Sequence, residues 1–150
     1  MTDTLKLQLK RTIKASPAEL FAAWTQPELM KKWYAPGTMT VPVAVSDLRI
    51  GGSYRLEMAD GPEQRHVAVG TYKQIIPNKL LAFTWNSDCS TDTSAETLVT
   101  IEFTEVAGGT ELVLTHEGFT DVETRDKHEH GWNGCLDNLN QLAAIVPVLM

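Results

Sequence analysis

Hydrophobic and polar residues alternate along most of this chain, and a period of two residues predicts β-strands with one buried face. In the first such stretch, residues 5–13, Leu5, Leu7 and Leu9 alternate with lysine and glutamine. Further stretches follow at residues 41–48, 53–59, 65–76, 79–86, 96–106 and 110–117. Glycine, proline, asparagine and aspartate punctuate them, as is typical of antiparallel hairpins, and a polar loop is predicted at 87–94. The pattern therefore predicts about seven antiparallel strands.

Two short helices are predicted directly after the first strand. Residues 16–19, Ser-Pro-Ala-Glu, combine an N-cap serine, a proline at the first helical position and a glutamate at the capping-box position. Pro27 interrupts this helix, and residues 28–33 predict a further helical turn before Pro36-Gly37 breaks the chain again.

The C-terminal part predicts one long amphipathic helix. Residues 120–123, Thr-Asp-Val-Glu, predict a capping box that begins at Thr120, and the apolar stripe through Trp132, Leu136 and Leu139 extends the helix to residue 146. Gly131 and Gly134 each weaken such a helix by about 1 kcal/mol relative to alanine. They indicate either the close approach of another element or a place where backbone is needed near a ligand.

The order of these elements predicts an α+β fold in which residues 1–150 form a single domain. A curved antiparallel sheet of about seven strands wraps around the long C-terminal helix, and two short helices follow strand one. A twisted sheet bent around one helix diverges from it toward one end. A cavity between the helix and the sheet is therefore expected.

Composition narrows the possible partners. The chain carries a net charge of −6 over 150 residues, and its basic residues are scattered, so nucleic-acid binding is not expected. The absence of a long apolar run argues against membrane insertion and predicts a cytoplasmic protein. Cys89 and Cys135 form neither a disulfide framework nor a metal motif, and we expect no metal, no cofactor and a monomer or homodimer.

The candidate ligand-binding residues are the large or apolar side chains on the predicted inward faces of the strands and of the last helix. They are Trp33, Tyr54, Leu56, Met58, Phe83, Trp85, Leu114, His116, Phe119, Trp132 and Leu136. The alternative for each is a role in the core alone, which is the ordinary condition of the aliphatic residues. Aromatic residues with a polar atom line ligand sites as well as cores.

Six polar or reactive residues are interpreted from their positions. His116 ends an apolar face and is either a satisfied core histidine or a group that exchanges a proton or hydrogen bond with a ligand. His128 and His130 stand two residues apart on a helix and point in different directions, so a joint metal site is not expected. Both are expected to lie in a solvated first turn of the helix. Cys135 is interpreted as a small buried hydrophobic residue. Asp47 and Arg49 share a strand face and are interpreted as a contact that positions the adjacent turn.

Several motifs, in this order, resemble the activator of heat-shock protein 90 ATPase homologue family within the START-like (SRPBCC, Bet v-like helix-grip) superfamily. They are residues 16–24 (SPAELFAAW), 32–36 (KWYAP), 47–52 (DLRIGG), the strand through Gly70 to 81–85 (LAFTW), and Gly131-Trp132 with 135–139 (CLDNL). The resemblance covers nearly the whole chain. It implies a helix-grip fold with a hydrophobic cavity, which superfamily members use to hold lipids, hormones and polyketides.

Three hypotheses for the function remain open. The favoured one is a binding protein whose cavity holds a small apolar or aromatic molecule. The second is an enzyme of the polyketide cyclase or dehydratase sort that uses acid and base groups in the pocket, although no catalytic signature stands out. The third is a chaperone-associated stress-response protein. The cochaperone that gives the family its name pairs a similar domain with a second, N-terminal domain. Residues 1–150 are predicted to form one domain, and this counts against the third hypothesis.

Overall fold

The computed structural model of the chain describes residues 5–34, 39–59, 61, 65–87 and 96–143. The elements follow in the order β1 (Leu5–Ile13), α1 (Pro17–Thr25), α2 (Pro27–Met30), β2 (Thr40–Ser46), β3 (Ser53–Ala59), β4 (Arg65–Ile76), β5 (Leu80–Ser87), β6 (Thr97–Val106), β7 (Gly109–Phe119) and α3 (Val122–Ala143). The strands form a curved antiparallel sheet in the order β1-β7-β6-β5-β4-β3-β2. The predicted α+β helix-grip fold is confirmed.

Strand boundaries differ from the prediction where turns close early or strands pair further. β2 ends at Ser46 rather than at residue 48, because the Asp47 N–H already donates to the Ser53 carbonyl at 2.9 Å and starts the turn. β7 continues to Phe119, because Phe119 still pairs with Leu5 beyond a bulge at Gly118 of β7. Residues 88–94 of the predicted polar loop and 144–146 of the predicted helix lie outside the described residues.

The two predicted helix caps have different outcomes. At α1 the capping box is confirmed: the Glu19 N–H donates to Ser16 Oγ at 3.1 Å, and the Ser16 N–H donates to Glu19 Oε1 at 3.0 Å. At α3 the capping box beginning at Thr120 is wrong by one residue. The cap is Asp121, whose carboxylate accepts from the N–H and the hydroxyl of Thr124 at 2.7 and 2.9 Å. These hydrogen bonds lower the pKa of Asp121.

Strands β3 and β5 approach Gly70 of β4 closely from its two sides. Gly70 lies opposite Tyr54 of β3, and the Tyr54 hydroxyl reaches past it to donate to the carbonyl of Thr84 on β5. A Cβ atom at position 70 would lie 1.9 Å from that carbonyl oxygen, so a side chain cannot be accommodated. The glycine thus permits this close approach, and the Tyr54 hydroxyl is engaged by the Thr84 carbonyl.

Helix α3 lies on the sheet with its apolar stripe inward. Leu136 and Leu139 are fully buried. Arg11 of β1 fastens the outer side of the helix, donating to Asp137 Oδ1 and to Asn133 Oδ1 at 2.8 Å each. This attachment joins the second half of α3 to β1.

Candidate functional site

A cleft of about 390 Å³ opens between residues 127–135 of α3 and the sheet. Side chains from α3, from β3, β4 and β5, and from the segment between α2 and β2 line it. They are Tyr34, Met39, Met58, His66, Trp85, Lys127, His128, Trp132 and Cys135, together with the backbone of Gly131. The cleft is open to solvent on one side and lies beneath one part of the helix.

A second cavity of about 630 Å³ adjoins this cleft. The two share four lining residues, which form the junction between them: Met58, His66, Trp85 and His128. Beyond the junction the lining is more polar and includes Thr97, Asp121 and Thr124. The site therefore has a mainly apolar inner part and a polar outer part.

Aromatic rings form the wall of the inner cleft. The ring centroid of Trp132 lies 5.2 Å from that of Trp85 and 5.9 Å from that of Tyr34. The Tyr34 and Trp85 rings are nearly parallel, with 12° between their planes and 6.5 Å between their centroids. Trp24 packs behind them, 4.5 Å from Trp33, and its indole N–H has no hydrogen-bond partner among the described residues. Such rings offer large, rigid contact surfaces to an apolar ligand.

His116 orients this wall from behind. Its Nδ1 accepts a hydrogen bond from Trp132 Nε1 at 3.0 Å, so the ring proton is on Nε2, which donates to Thr97 Oγ1 at 2.6 Å. Thr97 Oγ1 in turn donates to the Trp85 carbonyl at 3.2 Å. Burial, and then the nearby His128, lowers the pKa of His116 to about 3, and the ring is therefore neutral at neutral pH. The chain of hydrogen bonds sets the indole of Trp132 in one orientation.

Two further groups in the cleft stay protonated. Burial raises the pKa of Tyr34 well above 10, and the neighbouring Tyr54, Tyr72 and Cys135 raise it further. Burial also raises the pKa of the Cys135 thiol to about 12. The Tyr34 hydroxyl has no hydrogen-bond partner among the described residues. It is therefore a neutral hydrogen-bonding group available to a ligand.

Four of the predicted site residues line these cavities. Met58, Trp85 and Trp132 line the inner cleft, and Phe119 lines the outer cavity. The others are buried and are not among the lining side chains: Trp33, Tyr54, Leu56, Phe83, Leu114, His116 and Leu136. Trp33 donates from Nε1 to the Ala23 carbonyl at 2.9 Å, and both ring nitrogens of His116 are engaged by the protein. The hypothesis that His116 contacts a ligand directly does not match this geometry.

Sequence reasoning missed several lining residues, of which His128 is the most instructive. Its interpretation as part of a solvated turn is wrong: the ring is half-buried against Phe119 and His116, with centroids 5.1 and 5.2 Å apart. His128 stands four residues before Trp132, so helical periodicity could have placed both on one face. His130 is exposed, as predicted.

For Gly131 the structure excludes one of the two alternatives, and for Cys135 it adds a contact with the cleft. A Cβ atom at Gly131 would meet nothing within 4 Å, so no element approaches closely there, and the glycine instead leaves open space beside the cleft. Cys135 is buried, as expected, but it also lines the cleft. Tyr34, Met39, His66 and Lys127 carried no periodic signal that distinguished them from other residues.

The fold and the cleft together define a helix-grip protein with a half-open site between its sheet and its long helix. Residues 14–144 match the family model described as "Activator of Hsp90 ATPase homolog 1-like protein", and the chain belongs to this family. The family resemblance inferred from the motifs is thereby confirmed. No curated protein matches the chain in sequence.

Solved structures agree with this assignment. An AHSA1 protein from Silicibacter pomeroyi is 27% identical, with a TM-score of 0.83 over 94% of this chain and 99% of the other. A protein from Chromobacterium violaceum is 26% identical, with a TM-score of 0.83 over 92% and 96% of the two chains. An AHSA1-like protein from Aeromonas hydrophila, at 23% identity over 95% of each chain and a TM-score of 0.77, shares the fold.

Two searches of the described residues found nothing. No helix in the described parts of the chain has the length and apolar character needed to cross a membrane. Within residues 5–34, 39–59, 61, 65–87 and 96–143, no group of three or more histidine, cysteine, aspartate or glutamate side chains is placed to hold a metal ion.

Proposed function

We propose that the protein binds a small, largely apolar molecule in the cleft beneath α3. The observation that supports this most directly is the cleft itself, whose volume of about 390 Å³ is lined by Trp85, Trp132, Tyr34 and two methionines. Ligand pockets typically measure about 300–1,000 Å³ and combine apolar walls with a few polar groups. Methionine adapts its shape to irregular ligands, which suits Met39 and Met58 to such a wall.

Three groups in the cleft or directly behind it are unsuited to acid–base catalysis. A group that transfers protons efficiently has a pKa near the working pH. The pKa of His116 is lowered to about 3, that of Cys135 is raised to about 12, and that of Tyr34 is raised as well. Each of these groups therefore stays neutral near neutral pH. A neutral, desolvated wall is the environment that an apolar molecule prefers.

Tryptophan fluorescence tests the proposal, because Trp85 and Trp132 line the cleft whereas Trp24 and Trp33 lie behind it. The protein is titrated with naphthalene, indole and medium-chain alcohols, and a saturable change in emission is expected. Trp132→Phe should reduce that change, and Trp33→Phe, the matched control in the core, should retain it. Native mass spectrometry of the purified protein would give an independent measure of bound molecules.

Gly131 offers a variant that fills the cleft. Because a Cβ at this position meets open space, Gly131→Leu should place its side chain beside the ligand without a backbone clash, and Gly131→Ala is the control that adds only one methyl group. We expect binding to fall in Gly131→Leu and to persist in Gly131→Ala. If folded wild-type protein binds none of the compounds, or if Gly131→Leu binds them unchanged, the cleft is not the site proposed here.

A further inference from the structure

We propose that the cleft selects aromatic molecules that carry a hydroxyl group, and that Nε2 of His128 accepts the hydrogen bond from that hydroxyl. This inference rests on the proposed function and specifies the ligand class of the same site. Two observations support it: His128 lies at the junction of the apolar and polar cavities, and the protein holds its neutral ring in a single tautomer.

The tautomer of His128 follows from its one hydrogen bond. Nδ1 lies 2.8 Å from the backbone carbonyl oxygen of Thr124. A carbonyl oxygen can only accept, so the proton of the neutral ring is on Nδ1, and Nε2 keeps its lone pair. Nε2 has no hydrogen-bond partner among the described residues, and the ring lines both cavities. The site thus presents an acceptor that calls for a donor from the ligand.

His116 provides the contrast within the same cluster. The two rings are 5.2 Å apart, yet His116 is held in the opposite tautomer and both of its nitrogens are occupied. Only His128 therefore has a ring nitrogen left for a ligand among these two. A half-buried acceptor without a partner costs free energy when an apolar ligand covers it, so a ligand that supplies a donor gains selectively.

The surroundings of His128 favour a hydroxylated ring over an aliphatic alcohol. Phe119 packs on the His128 ring, and Trp85 stands at the same junction, 5.2 Å from Trp132. A flat ring that lies against these tryptophans in the inner cleft can place a substituent at the junction. A carboxylate bound there would present no hydrogen atom to Nε2, whereas a phenolic hydroxyl would.

Three probes that share one ring system test the inference: 2-naphthol, 2-methoxynaphthalene and naphthalene. Isothermal titration calorimetry on the whole protein measures each Kd. We expect 2-naphthol to bind about tenfold more tightly than 2-methoxynaphthalene, which keeps the oxygen and loses the donor, because one satisfied hydrogen bond is worth roughly that factor. Naphthalene should resemble the methoxy compound.

Variants at position 128 assign the preference to the histidine. His128→Phe keeps a ring against Phe119 and loses the acceptor, so it should bind all three probes with similar affinity. His128→Gln carries an amide oxygen to about the position of Nε2 and should restore part of the preference for 2-naphthol. His130→Phe, two residues along and exposed, is the matched control and should behave as wild type. Circular dichroism confirms that each variant is folded.

The outcomes separate this inference from the proposed function. If the probes bind but wild-type protein does not distinguish 2-naphthol from 2-methoxynaphthalene, the inference is overturned and the proposed function stands. The same follows if folded His128→Phe keeps the tenfold preference. If none of the three probes binds to wild-type protein, the inference is overturned, and the proposed function fails with it only when indole and the medium-chain alcohols do not bind either.

Discussion

The hydrogen-bonded chain through His116 leads to a quantitative prediction about acid stability. The ring is completely buried, and its pKa is lowered to about 3, whereas an unfolded chain has the ordinary value of 6.5. Between these two values the unfolded state binds a proton that the folded state does not, so stability falls as the pH falls. The loss contributed by this residue is about 1.4 kcal/mol for each pH unit below roughly 6.5.

A comparison with His116→Gln isolates this effect from the other titrating groups. At neutral pH the variant should be less stable by about 2 kcal/mol, because it disturbs the acceptor of Trp132 Nε1 and the donor to Thr97. The variant has no titrating ring at this position. Its stability should therefore fall less steeply in acid, and the two proteins should become equally stable near about pH 5.

Urea unfolding followed by circular dichroism at a series of pH values between about 7.5 and 4.5 measures the two free energies. Far-ultraviolet ellipticity is preferable to fluorescence here, because His116→Gln alters the surroundings of Trp132. Parallel pH curves for wild type and variant would refute the reasoning, since they would show that His116 takes up its proton equally in the folded and unfolded states.

Three further predictions concern the fold and the cleft. Gly70→Ala should destabilise the protein by about 3 kcal/mol or more, because its Cβ would lie 1.9 Å from a backbone oxygen, whereas Gly131→Ala should stabilise it by up to about 1 kcal/mol through helix propensity. Arg11→Met should cost about 1 kcal/mol in urea unfolding, because Asp137 is 64% exposed and its ion pair with Arg11 is therefore screened by solvent, and because the methionine keeps part of the packing while the hydrogen bond to Asn133 is lost. Cys135, buried and with a pKa of about 12, should resist iodoacetamide at about pH 8 until urea unfolds the protein, as peptide mass spectrometry would show.

Each of these has a clear contrary result. Equal stability of Gly70→Ala and Gly131→Ala would show that the backbone of β5 does not approach position 70 as closely as the structure indicates. A loss of about 3 kcal/mol in Arg11→Met would mean that the ion pair holds α3 far more strongly than an exposed pair can. Rapid alkylation of native Cys135 would indicate that the thiol is exposed or ionised.

The local signals of the sequence determined much of the fold. Alternating residues such as Leu5, Leu7 and Leu9 produced the correct inward faces, because strand geometry forces a period of two. The Ser16–Glu19 capping box was also predicted correctly from the sequence, since all of its groups lie within four residues. The cap of α3 was predicted at the wrong residue, because Thr120 and Asp121 are adjacent and can both cap a helix. Asp121 is the cap, and its two carboxylate oxygens accept hydrogen bonds from Thr124.

The candidate site was predictable only in part. Trp85 and Trp132 could be assigned to inward faces from periodicity, and both line the cleft. Leu56 and Leu114 share the same inward pattern but lie deeper in the core. The two tryptophans lie where helix and sheet leave space, whereas the two leucines lie where they are in contact. The alternation of residues along a single strand does not show which of these places a residue occupies.

The sequence by itself thus determined the number and order of the elements, their buried faces and the family, because these depend on neighbours along the chain. Only the tertiary structure decided which inward residues meet space and which meet protein. It paired the nitrogens of His116 with Trp132 and Thr97, and it left Nε2 of His128 without a partner among the residues that the structure describes. Those outcomes depend on contacts between residues far apart in sequence, and such contacts form only when the sheet has curved beneath the helix.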